Sequence, residues 1–134
     1  MRNILVAYDG SAPARRALET AADLALAMGA KLTIVGVVPE ELGLPILMDP
    51  FDDTTVHAKQ LEDAIGYLEG RGIDAETLEP RGDPAKEIEK IARSGGYDTV
   101  VLGSRGLGTT GRLVLGSVSA HIATHSRGTV VIVH

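Results

Sequence analysis

The chain of 134 residues sets 13 Lys and Arg against 18 Asp and Glu, a formal net charge of −5, and 44% of it is hydrophobic. It has no Cys or Trp, three Tyr and one Phe, which excludes a disulfide scaffold, a thiolate nucleophile, a zinc ribbon or an iron–sulfur cluster and leaves almost no rings on which to stack exposed bases. No apolar run approaches the roughly 18 residues of a membrane span, and Met1–Gly10 lacks the charged, apolar and small-residue succession of an export signal, so one cytoplasmic domain over residues 1–134, without membrane or nucleic-acid partner, is expected.

Along the chain, Ile4-Leu5-Val6-Ala7-Tyr8 is a short apolar run stopped by Asp9-Gly10-Ser11, the pattern of a buried strand entering a tight turn. Ser11 is placed to cap a helix, Pro13 suits its first turn, Ala14, Leu18, Ala21 and Ala25 mark one face, and Gly29 suits its end. Lys31 to Val38 reads as a second strand stopped by Pro39. The following connection, Pro39 to Asp53, is long and carries Leu44, Ile46, Leu47, Met48 and Phe51 among acids, which fits either a cover over a ligand or packing on the next helix.

Leu61, Ala64, Ile65 and Leu68 then recur at helical spacing, and Ala75 to Leu78 reads as a short strand. Asp83-Pro84 supplies a cap and a first-turn proline for a third helix through Ile88 and Ile91, ended by Gly95-Gly96. Thr99 to Leu102 is a fourth strand. After a glycine-rich passage, Ser117 opens a last helix through Val118 and Ile122, and Thr129 to Val133 is a fifth strand. Strands that alternate with helices and are apolar on both faces imply a doubly wound parallel sheet with helices on both sides. Ligands of such sheets collect beyond the carboxyl ends of the strands where the winding reverses, which would set Asp9 and Gly103 on one crevice.

Gly103-Ser104-Arg105-Gly106, nine residues, then Gly116-Ser117 is the stretch richest in chemistry. Glycines let backbone approach a ligand closely, and the first amides of a helix are unpaired donors at the positive end of its dipole, a combination suited to phosphate. Ser117 would cap that helix, and Arg105 would add a charge-assisted donor. From Gly103 onward there is no Asp or Glu, so Arg105, Arg112 and Arg127 make the segment +3 while the preceding residues carry −8. A surface loop before a capped helix fits the same residues. A Walker loop does not, because the last of the four lysines is Lys90. Gly106-Leu107-Gly108-Thr109-Thr110-Gly111 matches a dinucleotide fingerprint but is followed by no acid.

The spacing Gly103-x2-Gly106-x9-Gly116-Ser117, the opening Ile4 to Ser11, Gly82-Asp83-Pro84-Ala85 and Tyr97-Asp98 together resemble the ATP-binding branch of the universal stress protein family, over essentially the whole chain. The resemblance implies an adenine-nucleotide alpha hydrolase-like domain with five parallel strands in the order 3-2-1-4-5 and ATP held across the switch between strands one and four. It implies Asp9 near the ribose and phosphates, the Val37 backbone at the adenine, and Gly103, Arg105, Gly106, Gly116, Ser117, Val118 and Ser119 around the phosphates. It also implies a homodimer through the last strand, Thr129 to Val133. The chain departs from the family's frequent proline, histidine and proline at Ala7, Gly36 and Thr129.

Among other candidates, Asp9 fits a local turn as well as a ligand role. His121 and His125, four apart, suit a shared metal by spacing, but no acid accompanies them in sequence and a partly buried His125 on the Val118–Ile122 stripe is expected instead. Asp9 is the one acid linked to a motif, whereas rapid phosphoryl transfer needs a positioned base and a cation clamp. The expectation is therefore an ATP-binding regulatory or stress-response module, with Mg2+ or Mn2+ carried by the nucleotide and hydrolysis slow or absent. The alternatives are a slow ATPase or phosphotransferase using Asp9, and a chaperone-like scaffold dimer in which ATP is structural.

Overall fold

The computed structural model describes residues 1–38, 53–104 and 115–134. Its elements follow in the order β1 (Asn3–Ala7), α1 (Ala12–Met28), β2 (Lys31–Val35), α2 (Asp53–Gly70), β3 (Glu76–Leu78), α3 (Pro84–Ser94), β4 (Thr99–Gly103), α4 (Ser117–His125) and β5 (Thr129–Val133). The strands form one parallel sheet, as the sequence pattern implies, in the order β3-β2-β1-β4-β5 that the resemblance implies.

Alternation along each strand divides the core. Ile4, Val6, Leu32, Ile34 and Val101 point to the face covered by α1 and α2, while Leu5, Val35, Val100 and Leu102 point to the face covered by α3 and α4. A central strand buried on both sides cannot carry a polar face, which is why β1 reads as an unbroken apolar run. On the first face α1 buries Ala14, Ala17, Leu18, Ala21, Ala22 and Ala25. Alanine leaves little side chain between helix and sheet, so α1 lies close against β1 and β4.

Local chemistry sets most boundaries where the residue types place them. The Ser11 hydroxyl accepts from the Ala14 N–H at 3.3 Å, Asp83 accepts from the Lys86 N–H at 3.0 Å, and Gly29 ends α1 in the left-handed region at φ 63°. The second strand is shorter than expected, ending at Val35 rather than Val38. The chain nevertheless stays extended beyond it, because the Val38 N–H donates to Pro80 O and the Gly82 N–H to Val38 O, at 2.8 and 3.0 Å.

At the amino ends of the strands, Asp98 joins three segments. Its Oδ2 accepts from the Arg2 and Asn3 amides at 2.7 and 3.2 Å, its Oδ1 from the Thr99 hydroxyl at 2.8 Å, and its carbonyl from the Thr129 N–H at 3.0 Å. The Arg2 amide first, then the Thr99 hydroxyl, hold the Asp98 carboxyl below its ordinary value of 3.8. Gly128 is needed at this joint, since a Cβ there would lie 2.6 Å from Asp98 O.

Candidate functional site

At the opposite, carboxyl end of the sheet a crevice of about 300 Å³ opens between the two helical layers. It is lined at the ends of β1 and β4 by Ala7, Tyr8 and Leu102, with Val35 at the end of β2 and Val37 just beyond it. Asp9, and Gly116, Val118 and Ser119 at the start of α4, also line it. The crevice thus lies where β1 and β4, neighbours in the sheet, send their chains into different layers, the position that the winding reversal requires.

The turn after β1 holds Asp9 in a set geometry. Its Oδ1 accepts from the Ser11 N–H at 2.9 Å, a contact that shapes the turn. Gly10 sits there at φ +81°, which admits glycine readily and few other residues.

Gly103 has a more demanding neighbour than its sequence context suggests. A Cβ on it would lie 2.5 Å from the C and O of Pro13 and 2.9 Å from the Ala14 nitrogen. The end of β4 therefore packs directly on the first turn of α1, and this glycine is dictated by chain-to-chain contact inside the fold. Ser119, 3% exposed, donates its hydroxyl to Gly103 O at 2.8 Å and so ties α4 to the same strand end.

The start of α4 differs from the starts of α1 and α3. Gly116, not Ser117, is the N-cap, at φ −66° and ψ 165°, and no side chain caps the helix among the described residues. Ser117 is one position too far along to cap, because it already has helical geometry. The first helical bond runs from the Ala120 N–H to Gly116 O at 2.9 Å. The amides of Ser117, Val118 and Ser119 precede it and have no acceptor among the described residues. Among the described residues, three donors at the positive end of the helix dipole are thus without an acceptor at the start of α4, next to the crevice.

Of the residues that the sequence singles out, Asp9, Val37, Gly103, Gly116, Val118 and Ser119 converge on the crevice, with the exposed Ser117 next to them. Arg105 and Gly106 lie outside the described residues, as does the connection over 39–52. Sequence reasoning missed Tyr8, Pro13, His57, Pro84 and Ile88, all of which line the crevice. For Pro13, Pro84 and Ile88 the helix-start pattern was visible, but its proximity to the end of β4 was not. His57 continues the helical stripe of Leu61, Ala64 and Leu68 one turn earlier, where an imidazole breaks its apolar pattern.

His121 and His125 do not form a metal pair with a third ligand among the described residues. His121 Nε2 meets Glu89 Oε2 at 2.9 Å, and this contact is the main reason the Glu89 carboxyl lies below its ordinary value. His125 is exposed rather than partly buried, because α4 ends there, one turn past the buried Ile122; its Nδ1 meets His121 O at 2.8 Å and its ring stacks on that of His121. The Glu89–His121 contact links α3 to α4, the two helices that cover one side of the crevice.

Comparison with known proteins agrees with this architecture. The family model described as the universal stress protein family matches residues 1–134. Universal stress protein YxiE of Bacillus subtilis is 34% identical over 143 aligned positions, which span 97% of each chain. A universal stress protein from Archaeoglobus fulgidus superposes with a TM-score of 0.84 at 25% identity, covering 100% of this chain and 99% of its own. Another, solved in complex with cAMP, superposes with a TM-score of 0.79 at 29% identity, covering 99% and 97%. With the family model spanning every residue and full-length relatives on the same doubly wound sheet, the chain belongs to the universal stress protein family.

Proposed function

We propose that the chain binds ATP in this crevice, with Mg2+ or Mn2+ carried by the triphosphate, and acts as a nucleotide-responsive regulatory or stress-response module with slow or no hydrolysis. The observation that carries the reading is the start of α4, whose first amides have no acceptor among the described residues and which lines the same crevice as Asp9. Helix-start amides are suited to phosphate oxygens, and Val35, Val37, Ile88 and Leu102 offer an apolar seat for a base. The cAMP complex of a related chain adds support for an adenine nucleotide.

Among the described residues, no three His, Asp or Glu side chains come together as a cation site, so the ion in this reading is one that the phosphates bring with them. Asp9 is the lone carboxylate lining the crevice among those residues. One acid already engaged by the Ser11 amide favours binding over rapid phosphoryl transfer. We further infer that β5, the sheet edge beyond β4, is the surface through which two copies pair as a homodimer.

The decisive measurement is mass analysis of the nucleotide released from freshly purified, heat-denatured protein, with ATP the expected product, followed by calorimetry on Gly116→Val. The backbone at Gly116 is open to any residue, so the variant should fold while its side chain occupies phosphate space. Affinity for ATP is expected to fall at least about tenfold. Undiminished affinity would remove α4 from the site.

A further inference from the structure

The buried stripe of α2 runs through Leu61, Ala64 and Leu68. One turn earlier, on the same stripe, the helix carries His57 instead of an apolar residue. Leu61 belongs to the core cluster on the sheet, whereas half-buried His57 lines the crevice with Tyr8, Asp9, Val35 and Val37. Close packing holds this part of α2 in place. A Cβ at Gly10 would lie 2.5 Å from Gln60 Nε2, so Gln60, one turn beyond His57, rests directly on the turn that carries Asp9.

His57 has no hydrogen-bond or ionic partner among the described residues. Among the described residues, the other titratable residues lining the crevice are Asp9 and Tyr8, and α3 and α4 contribute no charged side chain to that lining. Within this described lining, a protonated His57 offsets the single negative charge of Asp9. An anionic ligand gains by that change, and histidine is the side chain whose charge changes between about pH 5 and 8.

Resting on the ATP reading above, we propose that His57 contacts the bound nucleotide and makes its affinity rise as pH falls. The imidazolium is favoured beside the anion, so the complex holds more protons than the free chain, and affinity must increase with proton activity. A neutral leucine or isoleucine would complete the stripe at least as well for packing, so packing does not account for an imidazole at this position.

The test is calorimetric titration of Mg–ATP into the full chain and into His57→Gln at about pH 8, 7 and 6. Protonation of ATP's own terminal phosphate is common to both proteins, so the ratio of their affinities isolates His57. The variant is expected to bind within about twofold of the parent at high pH and about five- to tenfold more weakly at low pH, with proton uptake on binding smaller in the variant by the share that His57 contributes. A ratio that stays constant with pH would overturn the inference and leave the ATP reading intact. No binding of ATP by either protein at any pH would overturn both. Should His57→Gln fail to fold, His57→Leu, which extends the apolar stripe, gives the same readout.

Discussion

The two ends of the sheet make opposite use of similar groups. At the amino end, Asp98 accepts from two amides and a hydroxyl, its carbonyl accepts from Thr129, and the joint is closed by the chain's own polar atoms. At the carboxyl end, Asp9 accepts one amide, the first turn of α4 has no side-chain cap among the described residues, and both line a crevice. A carboxylate next to a strand end is thus a structural joint in one place and a wall of a candidate site in the other. The difference lies in what surrounds it: three donors converge on Asp98, whereas Asp9 accepts from the Ser11 amide and lines the crevice, as does the start of α4.

The comparison can be broken most forcefully at Gly103. Gly103→Ala drives a Cβ into the Pro13 backbone, and such overpacking is expected to destabilise by about 3 kcal/mol, read as a lower midpoint in urea. A midpoint within error of the parent would show that β4 and α1 separate easily.

A smaller effect is expected at the closed end. Asp98→Ala leaves two amides to water at an exposed site and should cost about 1 kcal/mol at neutral pH, a loss of several degrees in Tm. Because the folded carboxyl titrates below 3.8, its contribution is present above that value and is lost as pH falls through the depressed one. Melting curves of parent and variant should therefore converge in acid, below about pH 4. A gap that persists there would mean that the charge of Asp98 is irrelevant to the joint.

The smallest effect sharpens the contrast. Gly116→Asp gives α4 the kind of cap that α1 and α3 already have, and should raise stability by a few tenths, roughly 0.3 kcal/mol, while ATP affinity falls. Opposite signs in thermal melting and calorimetry are the expected outcome; a gain in both would show that the open helix start is not used for binding.

Much of the fold was legible because its signals are local. Ser11, Pro13 and Gly29 bound α1, and Asp83, Pro84 and Gly95 bound α3, each acting on backbone groups within a few residues. The same logic misplaced the cap of α4, because Gly116 and Ser117 both suit a helix start and only the observed dihedral angles separate them. It also read Gly103 as a residue shaped for a ligand, when its nearest demand comes from Pro13. The Glu89 partner of His121, 32 residues away, had no sequence signal.

Periodicity and turn chemistry by themselves determined the element order, the doubly wound class and the region of the crevice, since apolar spacing and strand-end glycines act over one or two turns of chain. Tertiary structure alone decided that Asp98 reaches the Arg2 amide across 96 positions, that Gly103 bears on α1, and that His57 faces the crevice instead of the core. Each depends on which side chains and backbones the packed layers bring within a few ångströms, and that proximity is a property of the assembled sheet and helices.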